Sequence, residues 1–306
     1  MIISVDHGNK QIKTVHKIFP SGLVERSNVS PIGGDTLFYN GKYYAQTEKQ
    51  IPYMRDKTLD DRFFILSLFA IAYEIEANHV YSAEEIIDVQ LLIGLPPAHY
   101  AKQRKKFEAY FARDEFIEFR FNDKDYSIYI DQVFVAPQAL AAIMPVYNQV
   151  KEIPKGVIIG IGGMTADYIM VRKGEADASV CDSLENGVIT LYNKIRSTIY
   201  ADYDMICEES DIDAVLRHEK IVLPADIVTY IQRAAKQFVS ELMDQLRERG
   251  IDLKSSTAIF AGGGSLLLKE YIQAEERIVS SIIIDSIAAN AKGYEILYKL
   301  QQNSKQ

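Results

Sequence analysis

Two short glycine-bearing turns lie half a chain apart, and each directly follows an apolar run. The first is Asp6-His7-Gly8-Asn9-Lys10-Gln11-Ile12-Lys13, after Ile2-Ile3-Ser4-Val5. The second is Gly160-Ile161-Gly162-Gly163-Met164-Thr165-Ala166-Asp167, after Val157-Ile158-Ile159. Both runs are rich in β-branched residues and bounded by turn chemistry, so each reads as a buried strand entering a tight turn. Glycine there opens backbone N–H groups to an anion, because no Cβ intervenes and positive φ costs little. The pairing therefore points to a duplicated hairpin that grips a polyphosphate.

An offset of 154 residues carries Gly8 onto Gly162, and Pro20-Ser21-Gly22 to a place beside Lys173-Gly174, the next turn signal of the second copy. Each half then reads as strand, glycine turn, strand, tight turn, strand, with the third strand over 23–29 in the first copy and 176–182 in the second. Later in each half an apolar strand runs into an amphipathic helix: 132–135 into 138–144, and 282–285 into 288–300. A lone strand-glycine-strand piece is common in α/β proteins. Two in register, with matching downstream elements, mark a repeat.

At 306 residues, 48% hydrophobic and 25% charged, the chain has the composition of a folded protein of one large or two medium domains. Its formal net charge of −8 gives no support to direct nucleic-acid binding, which leaves a basic footprint. The one dense basic run, Lys102-Gln103-Arg104-Lys105-Lys106, reads as a solvated helix face. Cys181 and Cys207 have neither metal-ligand nor disulfide-framework spacing, which suits a reducing cytoplasm. An aspartate as early as position 6 argues against a secretory signal. The most apolar helical stretch, 63–73, is well short of the roughly 20 residues needed to cross a bilayer, so no membrane partner is expected.

The organisation expected is α/β with two lobes. Lobe I covers 1–150, with an insertion subdomain at about 31–90 that holds a hairpin around Asn40-Gly41 and a helix opening at Thr58-Leu59-Asp60-Asp61 as a capped start. The chain returns to the sheet over 89–94 and stops at Leu95-Pro96-Pro97. Lobe II covers 151–306, with a helical subdomain at about 183–256 whose long helix, 225–249, ends at Gly250. A buried strand over 257–261 then meets Gly262-Gly263-Gly264-Ser265, and the C-terminal helix 288–300 is expected to return to lobe I.

Taken in this order, the three glycine turns resemble the phosphate 1, phosphate 2 and adenosine motifs of the actin, Hsp70 and sugar-kinase superfamily, over essentially the whole chain. The openings Val135-Ala136-Pro137-Gln138-Ala139 and Ala288-Ala289-Asn290-Ala291-Lys292-Gly293-Tyr294 are similar to that superfamily's two connecting helices. By length and texture the chain most resembles the plasmid-segregating bacterial actins, the ParM-like proteins. The resemblance implies an actin-like fold of two duplicated ribonuclease-H-like lobes, a nucleotide cleft between them, and ATP or GTP with Mg2+ as ligands.

It also implies roles residue by residue. Asp6 would order waters around the Mg2+, since a hard cation that keeps its waters needs such a carboxylate; a strand-end turn cap is the alternative. Gly8 and Asn9 would offer N–H groups to phosphate, and Lys13 a cation, unless Lys13 is merely a solvent-facing strand-edge lysine. Gln138 matches the residue that positions the attacking water, which a glutamine does without being a strong base; an ordinary polar residue at a helix start is the other reading. Gly162, Gly163 and Thr165 would form the second phosphate loop, Glu185 would lie near the ribose, and Gly262, Gly263, Gly264 and Ser265 near the nucleoside. Gly160 departs from the pattern, which places an aspartate there. Asp167 matches a second aspartate that partly compensates at the metal, or else bonds its own turn.

Three function classes follow. The first is a nucleotide-hydrolysing filament protein that segregates plasmid or other DNA through a DNA-binding adaptor, with itself as the main partner. The second is a small-molecule kinase of the same fold, which needs a substrate-lobe carboxylate as base. The third is a slow nucleotide-sensing member, made credible by Gly160.

Overall fold

The computed structural model describes residues 1–26, 33–49, 51–52, 54–113 and 115–304. The chain divides into two compact units: Met1–Pro145 with Ala288–Gln306, and Val146–Ile287.

Unit 1 opens with an antiparallel meander of β1 (Ile2–His7), β2 (Gln11–Lys13) and β3 (Ile18–Pro20). The third meander strand therefore comes earlier than the expected 23–29. The reason is a turn at 14–17: the Thr14 and Lys17 backbones bond at 2.8 Å, and the Lys17 N–H donates to Thr14 Oγ1 at 2.9 Å. β4 (Gly22–Arg26) instead pairs with β6, and 27–29 lie outside the described residues. β5 (Thr36–Tyr39) and β6 (Lys42–Thr47) form a two-residue hairpin whose Asn40 and Gly41 both have positive φ, 49° and 75°, as its twist requires.

The apolar helix α1 (Arg62–Ala77) is buried along most of its length. Its start differs from the expected cap. Asp61 makes no capping bond and pairs with Arg113 at 3.1 Å, while Asp60 accepts the Arg62 N–H at 3.0 Å. β7 (Ile87–Leu95) runs parallel to β1 and hands over to α2 (Pro97–Phe111), where proline in the first turn loses no helical bond. β8 (Ile117–Phe121) and β9 (Lys124–Pro137) then form a hairpin, and β9 continues parallel to β7. The helix expected over 138–144 is broken into α3 (Leu140–Ile143) and a 3-10 turn, Met144–Val146, before α4 (Tyr147–Val150). Pro145 lacks the N–H that a continuous helix needs.

Unit 2 repeats the meander as β10 (Gly156–Ile161), β11 (Ala166–Arg172) and β12 (Glu175–Leu184). The helices α5 (Val188–Tyr203), α6 (Glu209–Leu216) and α7 (Ala225–Glu248) follow. The stripe Ile227, Ile231, Phe238, Leu242 and Leu246 buries one face of α7, and Gly250 beyond its end takes φ 77°. β13 (Thr257–Ala261), α8 (Gly263–Leu267), α9 (Lys269–Gln273) and β14 (Ser281–Ile283) complete the unit.

The last helix, α10 (Ala289–Asn303), belongs to unit 1 and packs on α3, β1 and β7. Gly293 permits that approach, since a Cβ there would sit 1.8 Å from the Ala141 carbonyl oxygen.

The two sheets share one topology. In unit 1 the order β3-β2-β1-β7-β9 continues into β8-β5-β6-β4, and unit 2 has β12-β11-β10-β13-β14. In both, the first three strands pair antiparallel and the next two join parallel. Among the described residues, no helix is long and apolar enough to cross a membrane.

Candidate functional site

Ligands of open α/β sheets collect beyond the carboxyl ends of the parallel strands. In unit 1 those ends belong to β1, β7 and β9, and they carry Asp6, Gly94 and Gln138. Asp6 is buried at 4% exposure and accepts a hydrogen bond from Gln138 Nε2 on Oδ1 at 2.8 Å. Its other oxygen lies 3.5 Å from Lys13 Nζ and 3.5 Å from Asn290 Nδ2. Asp6 and Lys13 are cross-strand partners, which sets both side chains on one face of the hairpin. The fold thus brings Asp6, Lys13 and Gln138 together, from sequence positions up to 132 residues apart.

Gly8 belongs to the same constellation. A Cβ on it would lie 2.5 Å from the Gln11 carbonyl oxygen and 2.8 Å from Lys13 Nζ, so only bare backbone fits. Its own N–H donates to the Asp6 carbonyl at 2.9 Å, within the turn, and the Asn9 carbonyl accepts from Ser21 Oγ. His7 points into the core, stacked on Phe111 at 5.0 Å with Nε2 2.7 Å from Ser67 Oγ, while Lys57 Nζ donates to the His7 carbonyl. Burial, then the Lys57 charge, pushes the His7 pKa well below the ordinary histidine value.

Two residues of α10 complete this half. Asn290 Oδ1 accepts the Ala139 N–H at 3.1 Å, beside its contact with Asp6. Tyr294 is fully buried, with its hydroxyl beside Asp6 and Gln138. Burial, then the negative charge of Asp6, raises its pKa well above that of an ordinary phenol. A Cβ on Gly94 would come within 2.1 Å of that hydroxyl, so the middle strand has glycine where the tyrosine arrives. Sequence reasoning gave Asn290 and Tyr294 no role. Their signal is a polar residue and an aromatic one four apart at a helix start, which places them on one face.

In unit 2 the second turn is stapled to the start of α5. The Val188 and Ile189 N–H groups donate to the Gly162 and Gly163 carbonyls at 3.0 and 2.8 Å, and Gly187 N–H donates to Met164 at 3.1 Å. A Cβ on Gly187 would sit 2.3 Å from the Gly163 oxygen, which explains that glycine. Gly162 N–H closes the turn onto Thr165 at 2.8 Å. Asp167, 9% exposed, accepts from Thr165 Oγ1 at 3.3 Å and from Ser183 Oγ. Glu185 is exposed, just before α5.

The triple glycine divides in role. Gly262 has φ 91°, a conformation that suits glycine. Gly264 serves packing, since a Cβ there would meet Ile161 Cγ2 at 2.6 Å and Val188 Cγ1 at 2.8 Å. Gly263 would meet only Ile287, at 3.3 Å, and is the more open of the three. Ser265 is fully buried and donates to the Ala261 carbonyl at 2.6 Å, so its hydroxyl holds the first turn of α8 and faces no open surface.

Among the described residues, no three His, Cys, Asp or Glu side chains gather as a metal cage. Mg2+ carried on phosphates keeps several waters and needs only one or two protein carboxylates. Asp6, oriented by two amides and Lys13 at the end of a strand whose turn a Cβ would block, fits such a role.

A search of curated proteins by sequence returns no match. Residues 4–140 match the family model for the actin-like protein N-terminal domain, and residues 158–274 match that for the archaeal actin homologue MreB-like, C-terminal. Among solved structures, an archaeal actin homologue superposes with a TM-score of 0.76 at 17% identity, covering 98% of this chain and 99% of that one. It has also been solved in complex with ADP. The apo psk41 ParM protein gives a TM-score of 0.70 at 15% identity, over 100% of this chain and 99% of its own. The AlfA filament bound to AMPPNP gives 0.67 at 14%, over 100% and 98%. With both halves matched by actin-like family models and the fold shared end to end, the chain belongs to the actin-like protein superfamily.

Proposed function

We propose that this protein is a nucleoside triphosphatase that polymerises with ATP or GTP bound and depolymerises after hydrolysis, in the manner of the plasmid-segregating actins. The observation that carries the reading is the Gln138–Asp6 pair, 2.8 Å apart beside the Gly8 turn. An amide next to a phosphate-gripping turn can orient a water for in-line attack without acting as a base. Gly8 and Asn9 in unit 1, and Gly162, Gly163 and Thr165 in unit 2, would hold phosphates on backbone and hydroxyl groups, and Lys13 would add a cation. Glu185, Gly262 and Gly263 are the candidates for the ribose and base, with Ser265 behind them.

Bound Mg2+ would neutralise phosphate charge; Asp6 would order its waters, with Asp167 as the unit 2 carboxylate. The ADP complex of the archaeal homologue and the AMPPNP-bound AlfA filament support nucleotide as ligand and self-association as outcome. With a net charge of −8, the filament would reach DNA through a separate DNA-binding adaptor. A cytoplasmic location fits the two free thiols.

One feature favours slow turnover as a second reading. Gly160 supplies no carboxylate where the resemblance expects one, which leaves Asp167 as the acid of that rung. High-speed sedimentation with Mg2+ and ATP, GTP or a slowly hydrolysed analogue tests the main reading. Protein should move to the pellet with a triphosphate and stay in the supernatant with the diphosphate. Protein that stays soluble under every nucleotide contradicts it.

A further inference from the structure

The end of α5 and the basic face of α2 each carry charge that the fold leaves uncompensated. In the last turn of α5, Tyr200 and Tyr203 stand 63% and 42% exposed, and Ile206 follows at 79%. Tyrosines three apart share one helix face, and tyrosine is a common anchor of protein interfaces. Asp202 and Asp204 lie among them, also exposed. Both sit at the negative end of the helix dipole, with no basic residue in the last turn, and Asp204 takes φ 48° as the C-cap. Carboxylates there cost free energy. Neither has an ion-pair partner among the described residues. On α2, Lys106 pairs with Asp56 at 2.5 Å and Arg104 reaches Glu108 at 4.0 Å. Lys102 and Lys105 are exposed, three apart on one face, and have no ion-pair partner among the described residues.

We propose that these two faces bind each other in neighbouring copies: the α5 end of one copy docks on the α2 face of the next. The contact rests on the self-association proposed above and names its surfaces. The Asp202 and Asp204 carboxylates meet the Lys102 and Lys105 ammonium groups, which offsets the cost at the helix end, and the lysine stems and charges pack over the Tyr200 and Tyr203 rings. A symmetric pairing of either face with itself would bring like charges together. Because the two faces differ, every pair of copies leaves one of each open, and the contact can propagate into a filament.

The test is sedimentation with Mg2+ and a slowly hydrolysed triphosphate analogue, using two variants. One carries Asp202→Lys with Asp204→Asn, since asparagine tolerates the left-handed conformation. The other carries Lys102→Glu with Lys105→Glu. Each alone should raise the critical concentration for assembly on the order of tenfold or more. Mixed in equal amounts, the two should pellet together near the parental concentration, because each copy then meets opposite charge on both faces. The first variant should melt no lower than the parent, since a lysine at a helix C-terminus suits the dipole, so its lost assembly is not lost folding. Parental pelleting by either variant alone overturns the contact, as does a mixture that stays soluble where the parent pellets. A parent protein that stays soluble with every nucleotide overturns the functional reading, and the contact falls with it.

Discussion

Gly160 and Asp167 are cross-strand partners in the β10–β11 ladder, and the matching rung of β1–β2 holds Asp6 and Lys13. The two hairpins therefore present different charges from one geometry: a carboxylate paired with an ammonium in unit 1, and a single carboxylate with bare backbone opposite in unit 2. The carboxylate of the second hairpin has moved from the first strand to the second. Gly160→Asp would set two carboxylates face to face. Like charges directly opposite on a sheet cost about 0.2–1 kcal/mol, so the apo variant should melt below the parent at neutral pH. Mg2+ with ATP should recover part of the loss. Melting curves with and without Mg-nucleotide check this, and an apo variant as stable as the parent contradicts it.

Gln138→Ala should bind nucleotide with parental affinity but hydrolyse it on the order of a hundredfold more slowly, because the water loses its orientation. Filaments formed by the variant should persist. Equilibrium binding of a fluorescent nucleotide and phosphate release, measured on one preparation, separate the two effects. Parental hydrolysis would remove Gln138 from the mechanism.

Gly8→Ala places a methyl group 2.5 Å from the Gln11 carbonyl oxygen and 2.8 Å from Lys13 Nζ. The lysine can swing away, but the backbone oxygen belongs to the hairpin and cannot. The turn must open, and nucleotide affinity should fall on the order of tenfold or more. Titration calorimetry with Mg-ATP or Mg-GTP reads this directly. Unchanged affinity would mean that the turn does not meet the phosphates.

His7 sets a pH dependence. Its folded pKa lies below the unfolded value near 6.5, through burial first and the Lys57 charge second. Above that pH neither state takes the proton, so the stability contribution is complete. As pH falls below 6.5, the unfolded chain gains a proton that the folded state refuses, and stability drops. The melting temperature should therefore fall more steeply between about pH 7 and 5 in the parent than in His7→Gln, since exposed carboxylates contribute equally to both. Equal slopes would show that His7 titrates normally in the folded protein.

The duplication was legible because Gly8 and Gly162 carry the same backbone demand at the same point of a repeated strand pair, and an apolar strand before a glycine turn is visible without any tertiary knowledge. The hairpin at Asn40-Gly41 was legible for a similar reason, as both residues tolerate positive φ. The β8–β9 hairpin went unread, although Ile117-Glu118-Phe119-Arg120-Phe121 alternates cleanly and its inward positions are buried.

Ala139 could not have been foreseen. Nothing in an alanine announces φ 61°, and one of the bonds that hold it there comes from Asn290, at the far end of the chain. Tyr294 was hidden likewise, because its meaning lies in the absent side chain of Gly94 and the charge of Asp6. For Gly264 and Ser265 the structure adds what the sequence does not show: close packing on Ile161 at the glycine and a bond to the Ala261 carbonyl at the serine.

On the proposed function, nucleotide hydrolysis governs assembly. Right-angle light scattering of the purified protein with Mg2+ and ATP or GTP, with phosphate release followed in the same cuvette, tests it most directly. Scattering should rise on adding triphosphate and decay as phosphate appears, and should stay high with a slowly hydrolysed analogue. No rise with any nucleotide, or phosphate release that begins only when a small metabolite is added, would contradict it.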